Sequence, residues 1–248
     1  MRISHLPIVV TFPFMLCING GTAARAGSQA SNAPATSSAV VKGTVKFAGD
    51  APKPVHIDMS ADPKCVQLRP GGGATEDIVT DRSGGLENAV VYVSDGLGNQ
   101  TFQPPQEAAE IVQKGCMYQP HVVALQANQK LNVVNADTTT HNIHPVPNNN
   151  RELNQTQPSG LPLSMTFARE EVAIPVKCNI HPWMRSYIAV FKHPYFAVTD
   201  KNGNFELNNL PPGTYTIKAW HEKLGMAIQK VAVNASETKM VEFVFKPQ

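Results

Sequence analysis

Residues 178–184 have the sequence Cys-Asn-Ile-His-Pro-Trp-Met, which places a thiol, an imidazole and a thioether in one short loop. A thiolate, two imidazoles and a weak axial thioether are the ligand set of a mononuclear blue-copper centre. The loop offers Cys178, His181 and Met184, so a second imidazole must come from elsewhere in the chain. His141 is the candidate, because it follows the apolar run 131–134 after a polar loop and is therefore expected at a strand end.

The residues before the loop predict how the cysteine is presented. Val172, Ile174, Val176 and Cys178 alternate with other residues, which is the period of a β-strand and aims the Cys178 sulfur toward the core. Zinc is the competing metal, because thiolate and imidazole suit zinc as well. A methionine in the loop favours copper.

These two segments resemble the cupredoxin family of blue copper proteins, to which plastocyanin and amicyanin belong. The Cys-x2-His-x2-Met spacing followed by Arg185 is similar to amicyanin, and the resemblance covers roughly residues 107–191. It implies a Greek-key β-sandwich in which His141, Cys178, His181 and Met184 bind one type 1 copper ion. The implied activity is electron transfer with a redox partner protein, without turnover of a substrate.

The resemblance also implies roles for neighbouring residues. Asn142 matches a side-chain amide that ties the two ligand loops together, with an ordinary turn asparagine as the alternative. Ile180 replaces the proline of amicyanin-like loops, so its backbone N–H is free to donate to the thiolate. By analogy, the His181 ring edge meets solvent in an apolar docking patch that includes Pro182 and Trp183. The alternative for Trp183 is packing against the rim of the sandwich.

The remaining histidines offer weaker candidates for metal binding. His144 is the alternative to His141 as the first imidazole ligand. His121 and His221 are candidates for a second metal site, and the alternative for both is a hydrogen-bonded structural role.

Composition predicts an all-β protein with two domains. The 248 residues are 42% hydrophobic and 16% charged, with 20 Pro and 17 Gly, which suits short strands joined by many turns. Residues 1–26 have the Arg2, apolar run and Ala-Arg-Ala ending of a secretory signal peptide, and the apolar run is too short to span a bilayer. Export to the periplasm or the medium, without a transmembrane segment after cleavage, is therefore predicted.

Signal cleavage bears on the charge and on the cysteines. The 21 basic residues fall to 19 when Arg2 and Arg25 are removed, which equals the 19 acidic residues and indicates no nucleic-acid partner. With Cys178 assigned to metal, Cys65 and Cys116 are the two cysteines left in an oxidising compartment. They predict a disulfide, with two separate buried thiols as the alternative.

The tail of the chain indicates a second, smaller β-sandwich. Residues 27–39 predict a flexible linker, and residues 196–207 predict a hairpin about the turn at 200–203. The tail resembles the carboxypeptidase regulatory-like sandwich and the accessory module of rhamnogalacturonan lyases, both of which are non-catalytic. Segments 41–45 and 88–93 resemble the first strands of that module.

The predicted organisation is therefore a discontinuous sandwich, formed by residues 40–103 and 193–248, into which a cupredoxin domain of residues 104–192 is inserted. Consecutive domains with the tail as an appendage are the alternative.

The leading functional prediction is an exported mononuclear copper protein that transfers electrons. The alternative is a binding module in which the second sandwich recognises a polysaccharide or a protein and the cupredoxin domain is a scaffold or copper store. The sequence has neither a His-x-x-Glu pair nor a Gly-x-Ser-x-Gly motif, which argues against a hydrolase, and it lacks the His-x-His elements of a multicopper oxidase.

Overall fold

The computed structural model describes residues 37–247, and the predicted signal peptide and most of the predicted linker lie outside the described residues. The described residues belong to one compact unit. The prediction of an all-β protein is confirmed, since strands account for nearly all of the regular structure. No helix among the described residues is long and apolar enough to cross a membrane.

The regular elements within residues 37–247 are eighteen strands and one helix, α1. In chain order they are β1 (Ala39–Phe47), β2 (His56–Ile57), α1 (Pro63–Leu68), β3 (Gly73–Ala74), β4 (Val90–Asp95), β5 (Ala109–Gln113), β6 (Tyr118–Gln119), β7 (Val122–Gln126), β8 (Leu131–Asn135), β9 (His141–Pro145), β10 (Gln155–Gln157), β11 (Leu163–Met165), β12 (Glu171–Lys177), β13 (Arg185–Phe191), β14 (Phe196–Val198), β15 (Asn204–Leu210), β16 (Gly213–His221), β17 (Gly225–Val233) and β18 (Thr238–Phe245).

Two sheets share a core built from both ends of the described chain, and we call them the terminal sandwich. Their strand orders are β15-β1-β18 and β14-β4-β16-β17. Strand β1 buries alternate residues, including Val41 and Val45, while Lys42 forms an ion pair with Glu206 (2.8 Å) on the other face. It pairs in parallel with β18 along its length. Distant parts of the sequence therefore build one core.

Two further sheets enclose a second core, and we call them the loop sandwich because they carry the Cys178 loop. Their orders are β10-β9-β12-β13-β7 and β11-β8-β5-β6. Ile143, Ile174 and Ile188 are fully buried between them, in the same cluster as Cys178 and Met184. The candidate ligands thus lie at one end of a packed β-core rather than on a mobile surface loop.

Residues 56–69 do not lie where the predicted boundaries put them. Met59 and Cys65 pack in the core of the loop sandwich, although the sequence assigned them to the terminal sandwich. Cys65 is bonded to Cys116, with 5.6 Å between the two Cα atoms. The disulfide holds helix α1 and its flanks, residues 56–75, over the end of the loop sandwich, and we call this segment the cap.

Two local expectations, at the start of β1 and in β12, differ from the structure. Ala39, expected in the linker, is buried as the first residue of β1. Val172 does not share the face of Ile174, because the pairing of β12 with β13 shifts register at Ala173, which has a φ of 70°. Val172 therefore packs in the separate cluster between the two sandwiches, with Phe191.

The predicted hairpin over residues 196–207 is wrong, although its turn is present. Asp200 accepts hydrogen bonds from the backbone N–H groups of Asn202 (2.9 Å) and Asn204 (2.8 Å), as a turn aspartate does. The strands on either side then pair with different partners, β14 with β4 and β15 with β1. The turn carries the chain from one sheet of the terminal sandwich to the other.

Removal of the disulfide is expected to destabilise the protein strongly. Cys65 and Cys116 are 51 positions apart, and a loop of that length corresponds to about 4 kcal/mol of unfolded-state entropy. The Cys65→Ala, Cys116→Ala double variant should lose a large part of that value in urea unfolding. Wild-type protein unfolded in the presence of a dithiol should match the variant, while the variant should not respond to the dithiol. A loss below about 1 kcal/mol would contradict this account.

Candidate metal centre

The structure brings the possible ligand atoms of three of the four predicted ligand residues close together. His141 begins β9, Cys178 follows β12 and His181 precedes β13, and these three strands are neighbours in one sheet. His141 Nδ1 lies 3.0 Å from His181 Nδ1, and Cys178 Sγ lies 3.8 Å from the same His181 atom. All three side chains are buried, with at most 3% exposed. Nitrogen and sulfur donors thus converge on one small volume.

Met184, the fourth predicted ligand, is fully buried in the core cluster that also holds Cys178. Its backbone N–H donates to the carbonyl oxygen of His181 (2.9 Å), which closes a tight turn at the end of the loop. The turn keeps the thioether on the inner side of the loop.

A buried carboxylate holds the outer nitrogen of His141. Asp137 Oδ2 lies 2.8 Å from His141 Nε2, and the same carboxylate accepts the backbone N–H groups of Gly115 (2.7 Å) and Cys116 (2.8 Å). Burial raises the pKa of Asp137, but these hydrogen bonds outweigh burial and hold the pKa below its usual value. The carboxylate therefore assigns the ring hydrogen of His141 to Nε2.

A second carboxylate holds His181 in the same way. Asp62 Oδ2 lies 2.9 Å from His181 Nε2, and Asp62 Oδ1 also caps helix α1 by accepting the N–H of Lys64 (2.8 Å). The hydrogen bond with His181 is the main reason that the pKa of Asp62 is lowered. His181 is only 2% exposed, so the expectation that its ring edge meets solvent is wrong: the cap covers that edge.

The two carboxylates together determine what lies between the rings. With one hydrogen of each ring held at Nε2 by a carboxylate, the two Nδ1 atoms face the site, where they can bind a metal ion or share a proton with each other and with Cys178 Sγ. Two Nδ1 lone pairs 3.0 Å apart in a buried site would repel each other, so a proton or a metal cation must lie between or beside them. The arrangement of His141 and His181 therefore fits a bound metal ion, and the nearby thiol makes it suitable for a soft or borderline one.

Backbone N–H groups surround the sulfur and favour its ionised form. The N–H groups of Asn142 and His181 donate to Cys178 Sγ at 3.4 and 3.3 Å. Burial raises the pKa of Cys178, yet hydrogen bonds from His141 and from the N–H groups of His181, Asn142 and Ile180 lower the pKa to about 7. Ile180 thus contributes through its amide, as expected, while its side chain is exposed.

The side chain of Asn142 joins the two ligand loops. Its Oδ1 accepts the backbone N–H of Asn179 (3.1 Å), and its Nδ2 donates to Asn154 Oδ1 (2.8 Å). Asn142 follows His141 and Asn179 follows Cys178, so this hydrogen bond fixes the spacing between the thiol and the first imidazole.

Pro182 and Trp183 differ in their surroundings. Pro182 is exposed, whereas Trp183 is half-buried and its Nε1–H donates to the carbonyl oxygen of Cys116 (3.0 Å). The indole ring lies against the ring of His181, with 5.2 Å between centroids. Trp183 therefore packs over the site as well as forming part of the surface near it.

The other histidines have separate partners. His144 contacts Asn179 Oδ1 (3.0 Å) and Glu152 Oε1 (2.6 Å), away from the Cys178 sulfur. His121 Nε2 forms a hydrogen bond with Glu222. His221 Nδ1 accepts the N–H of Lys223 (3.3 Å), and burial lowers the pKa of His221 to about 4. Within residues 37–247, neither His121 nor His221 belongs to a cluster of three potential metal ligands.

Sequence reasoning missed both carboxylates. Asp137 carried a local signal, because it precedes His141 by four positions in the same polar loop. Asp62 carried none, since it is 119 positions from His181 and reaches it only through the cap.

Comparisons with known proteins find similarity over parts of the chain. The sequence-family model of polysaccharide lyase family 4, domain II, matches residues 184–241, which include most of the tail. No curated protein matches the chain.

Several solved structures of copper proteins resemble the fold over about a third to two fifths of the chain. The copper-containing nitrite reductase of Thermus scotoductus SA-01 is 18% identical over 39% of this chain and 25% of its own, with a TM-score of 0.33. A purple cupredoxin from Nitrosopumilus maritimus is 21% identical over 33% of this chain and 98% of its own (TM-score 0.29). Amicyanin from Paracoccus versutus is 17% identical over 40% and 96% (TM-score 0.31). The chain thus spans about a quarter of the length of the nitrite reductase.

Asp137→Asn is expected to destabilise the protein by about 2–4 kcal/mol at neutral pH. The Asp137 carboxylate accepts hydrogen bonds from the N–H groups of Gly115 and Cys116. An asparagine would replace one acceptor oxygen with an NH2 group, so at least one of these hydrogen bonds would be lost and one buried donor left unpaired. Urea unfolding measures the loss. Asp95→Asn, at the exposed end of β4, is the control and should change stability by less than about 0.5 kcal/mol. Equal effects of the two substitutions would refute the proposed role of Asp137.

Proposed function

We propose that this chain is an exported protein that holds one type 1 copper ion with His141, Cys178, His181 and Met184, and that it transfers electrons. The observation that carries the proposal is the convergence of two imidazole Nδ1 atoms, 3.0 Å apart, beside a buried thiol whose pKa is lowered. When bound, copper would supply one-electron redox chemistry.

The surrounding residues would keep the ligands in place during a change of charge. Asp62 and Asp137 fix the orientation of the two rings, and the amides around Cys178 stabilise a thiolate. Burial of the site excludes water. A rigid, dry site of this kind reduces the rearrangement that accompanies electron transfer, whereas a catalytic metal site keeps an open position for a substrate.

Copper is favoured over zinc by the fourth residue. Zinc sites are completed by thiolate, imidazole or carboxylate, while a buried thioether is a soft ligand that suits copper. Met184 is fully buried in the same cluster as Cys178. Its backbone N–H donates to the carbonyl oxygen of His181, which closes the turn at the end of the loop.

The disulfide supports an oxidising location, in the periplasm or outside the cell. The cap covers the His181 edge, so a redox partner protein would approach the site from the side of Pro182 and Trp183. We also propose that residues 40–103 and 193–248 form the accessory sandwich around residues 104–192, with the cap as the part of the first segment that packs on the inserted domain.

A second function is supported by the match to polysaccharide lyase family 4, domain II, at residues 184–241. In this alternative the terminal sandwich binds a polysaccharide and the copper site is a store or a structural feature. Binding to a polysaccharide array that persists after copper is removed would favour it, and binding lost with copper would not.

Cys178→Ser is expected to abolish the visible spectrum of the copper-loaded protein. A type 1 centre absorbs intensely because charge moves from thiolate to Cu(II), and a serine oxygen cannot replace that donor. The optical spectrum and the copper content of the purified protein are the measurements. Ile180→Val, an exposed change in the same loop, is the control and should keep the colour. The proposal would be refuted if the wild-type protein bound copper without an intense visible absorption band.

Asp62→Ala is expected to weaken copper binding by about tenfold or more, because His181 loses the carboxylate that orients it. Competition with a chelator measures the affinity. Asp62→Asn keeps one acceptor oxygen, which can serve either His181 or the N–H of Lys64 but not both, so its loss should be smaller than that of Asp62→Ala. Asp58→Ala is the matched control, because Asp58 lies on the same cap and accepts the N–H of Ser60 (2.8 Å) rather than contacting His181. Equal copper affinities of the wild type and Asp62→Ala would show that Asp62 does not support the metal site.

A further inference from the structure

A cavity of about 260 Å³ lies between the cap, the Cys178 loop and the turn after β16. One part of its wall is apolar and consists of Ile57, Met117, Pro182 and Trp183. Ligand sites for drug-sized molecules have volumes of roughly 300–1,000 Å³, so this cavity suits a molecule of about one ring. Trp183 offers it a flat aromatic surface.

The other part of the wall is polar and contains an imidazole nitrogen without a partner. The side chain of His121 is only 7% exposed, and its Nε2 is bonded to the buried carboxylate of Glu222. Its Nδ1 is buried and has no hydrogen-bond partner among the described residues. Glu76 Oε2 lies 3.6 Å from that nitrogen, which is too far for a hydrogen bond.

We propose that this cavity binds a neutral one-ring phenol, with its ring against Trp183 and its hydroxyl between His121 Nδ1 and Glu76. A phenolic hydroxyl both accepts and donates, so one oxygen can accept from the imidazole and donate to the carboxylate. That oxygen would provide a hydrogen-bond acceptor for the buried nitrogen, which now faces the carboxylate of Glu76 at 3.6 Å. An ether or a hydrocarbon of the same shape cannot bridge the two groups.

The protonation of His121 agrees with this role. Burial lowers the pKa of His121, but hydrogen bonding to Glu222 and the charges of Glu222, Glu76 and Asp77 raise it above the usual value overall. A protonated ring carries hydrogen on Nδ1 as well as Nε2, and Nδ1 can then donate to the ligand.

Charge balance around the cavity favours a neutral ligand. With His121 protonated and the carboxylates ionised, the lining has three positive and three negative side chains: His121, Arg185, Lys223, Glu76, Asp77 and Glu222. Burial raises the pKa of Glu76, so this balance holds at a pH above that raised value. Lys223 and Asp77 already form an ion pair (2.9 Å). A charged ligand would therefore carry a charge that the wall does not compensate.

The position of the cavity relates it to the proposed copper site. The ring of Trp183 lines the cavity and also lies 5.2 Å from the ring of His181, measured between centroids. An occupant would be separated from a proposed metal ligand by one indole ring, so the cavity would bring a small organic molecule close to the copper. This consequence rests on the proposed function, whereas binding itself needs no metal.

The test is a titration of the full protein, as isolated and reduced with ascorbate, with 4-methoxyphenol and with 1,4-dimethoxybenzene, which differ by one methyl group. The chain has two tryptophans, so labelling with 5-fluorotryptophan gives two fluorine NMR signals, which Trp183→Phe assigns. The phenol should shift the Trp183 signal and leave that of Trp220 unmoved. The dimethyl ether should bind at least about tenfold more weakly, because it cannot donate to Glu76.

Glu76→Ala should also weaken phenol binding by about tenfold, while the exposed control Glu110→Ala should leave it unchanged. An unshifted Trp220 signal shows that each variant is folded. The proposal is overturned if the phenol does not move the Trp183 signal, or if phenol and ether bind equally well. Binding that persists in a protein without a type 1 copper spectrum would support the cavity and reject the proposed function, so the two failures are distinguishable.

Discussion

The constraint on which the site depends is that a buried nitrogen must have a partner. The Nε2 atoms of His141 and His181 are each hydrogen-bonded to a carboxylate. Their Nδ1 atoms therefore face each other at 3.0 Å beside the Cys178 sulfur. Without those carboxylates either ring could rotate or exchange its hydrogen between nitrogens. The backbone in turn holds both carboxylates: two amide N–H groups donate to Asp137, and Asp62 caps helix α1. The orientation of the rings is therefore built into the fold.

Cys116 connects the parts of this arrangement. Its sulfur holds the cap, its N–H donates to Asp137, and its carbonyl oxygen accepts the indole N–H of Trp183. It adopts a positive φ of 54°, which is uncommon for a residue with a side chain. This backbone conformation lets one residue serve Asp137, the cap and the indole, because the peptide N–H points toward Asp137 while the side chain reaches Cys65. The cap, the ligand rings and the cavity wall are thereby coupled through one position.

Local sequence patterns predicted those parts of the site that depend on near neighbours in the chain. The thiol, imidazole and thioether of residues 178–184 stand close in space because they stand close in sequence, and the turn at Asp200 follows from its own side chain. Local sequence patterns failed to predict strand pairing where a strand could pair in either of two sheets. The hairpin expected at residues 196–207 divides between two sheets, and the period-two strand at Val172 is broken by a bulge at Ala173 that no residue type announces.

The sequence by itself determined the all-β class and the donor types that residues 178–184 offer, because strand period, turn residues and side-chain donors are properties of short segments. It also offered Cys65 and Cys116 as partners by leaving two cysteines without another role. Only the tertiary structure decided that residues 56–75 cover His181, since Asp62 meets it from 119 positions away. Pairing over such a distance depends on which sheets pack together and on how backbone hydrogen bonds are satisfied, and neither is written in a local pattern.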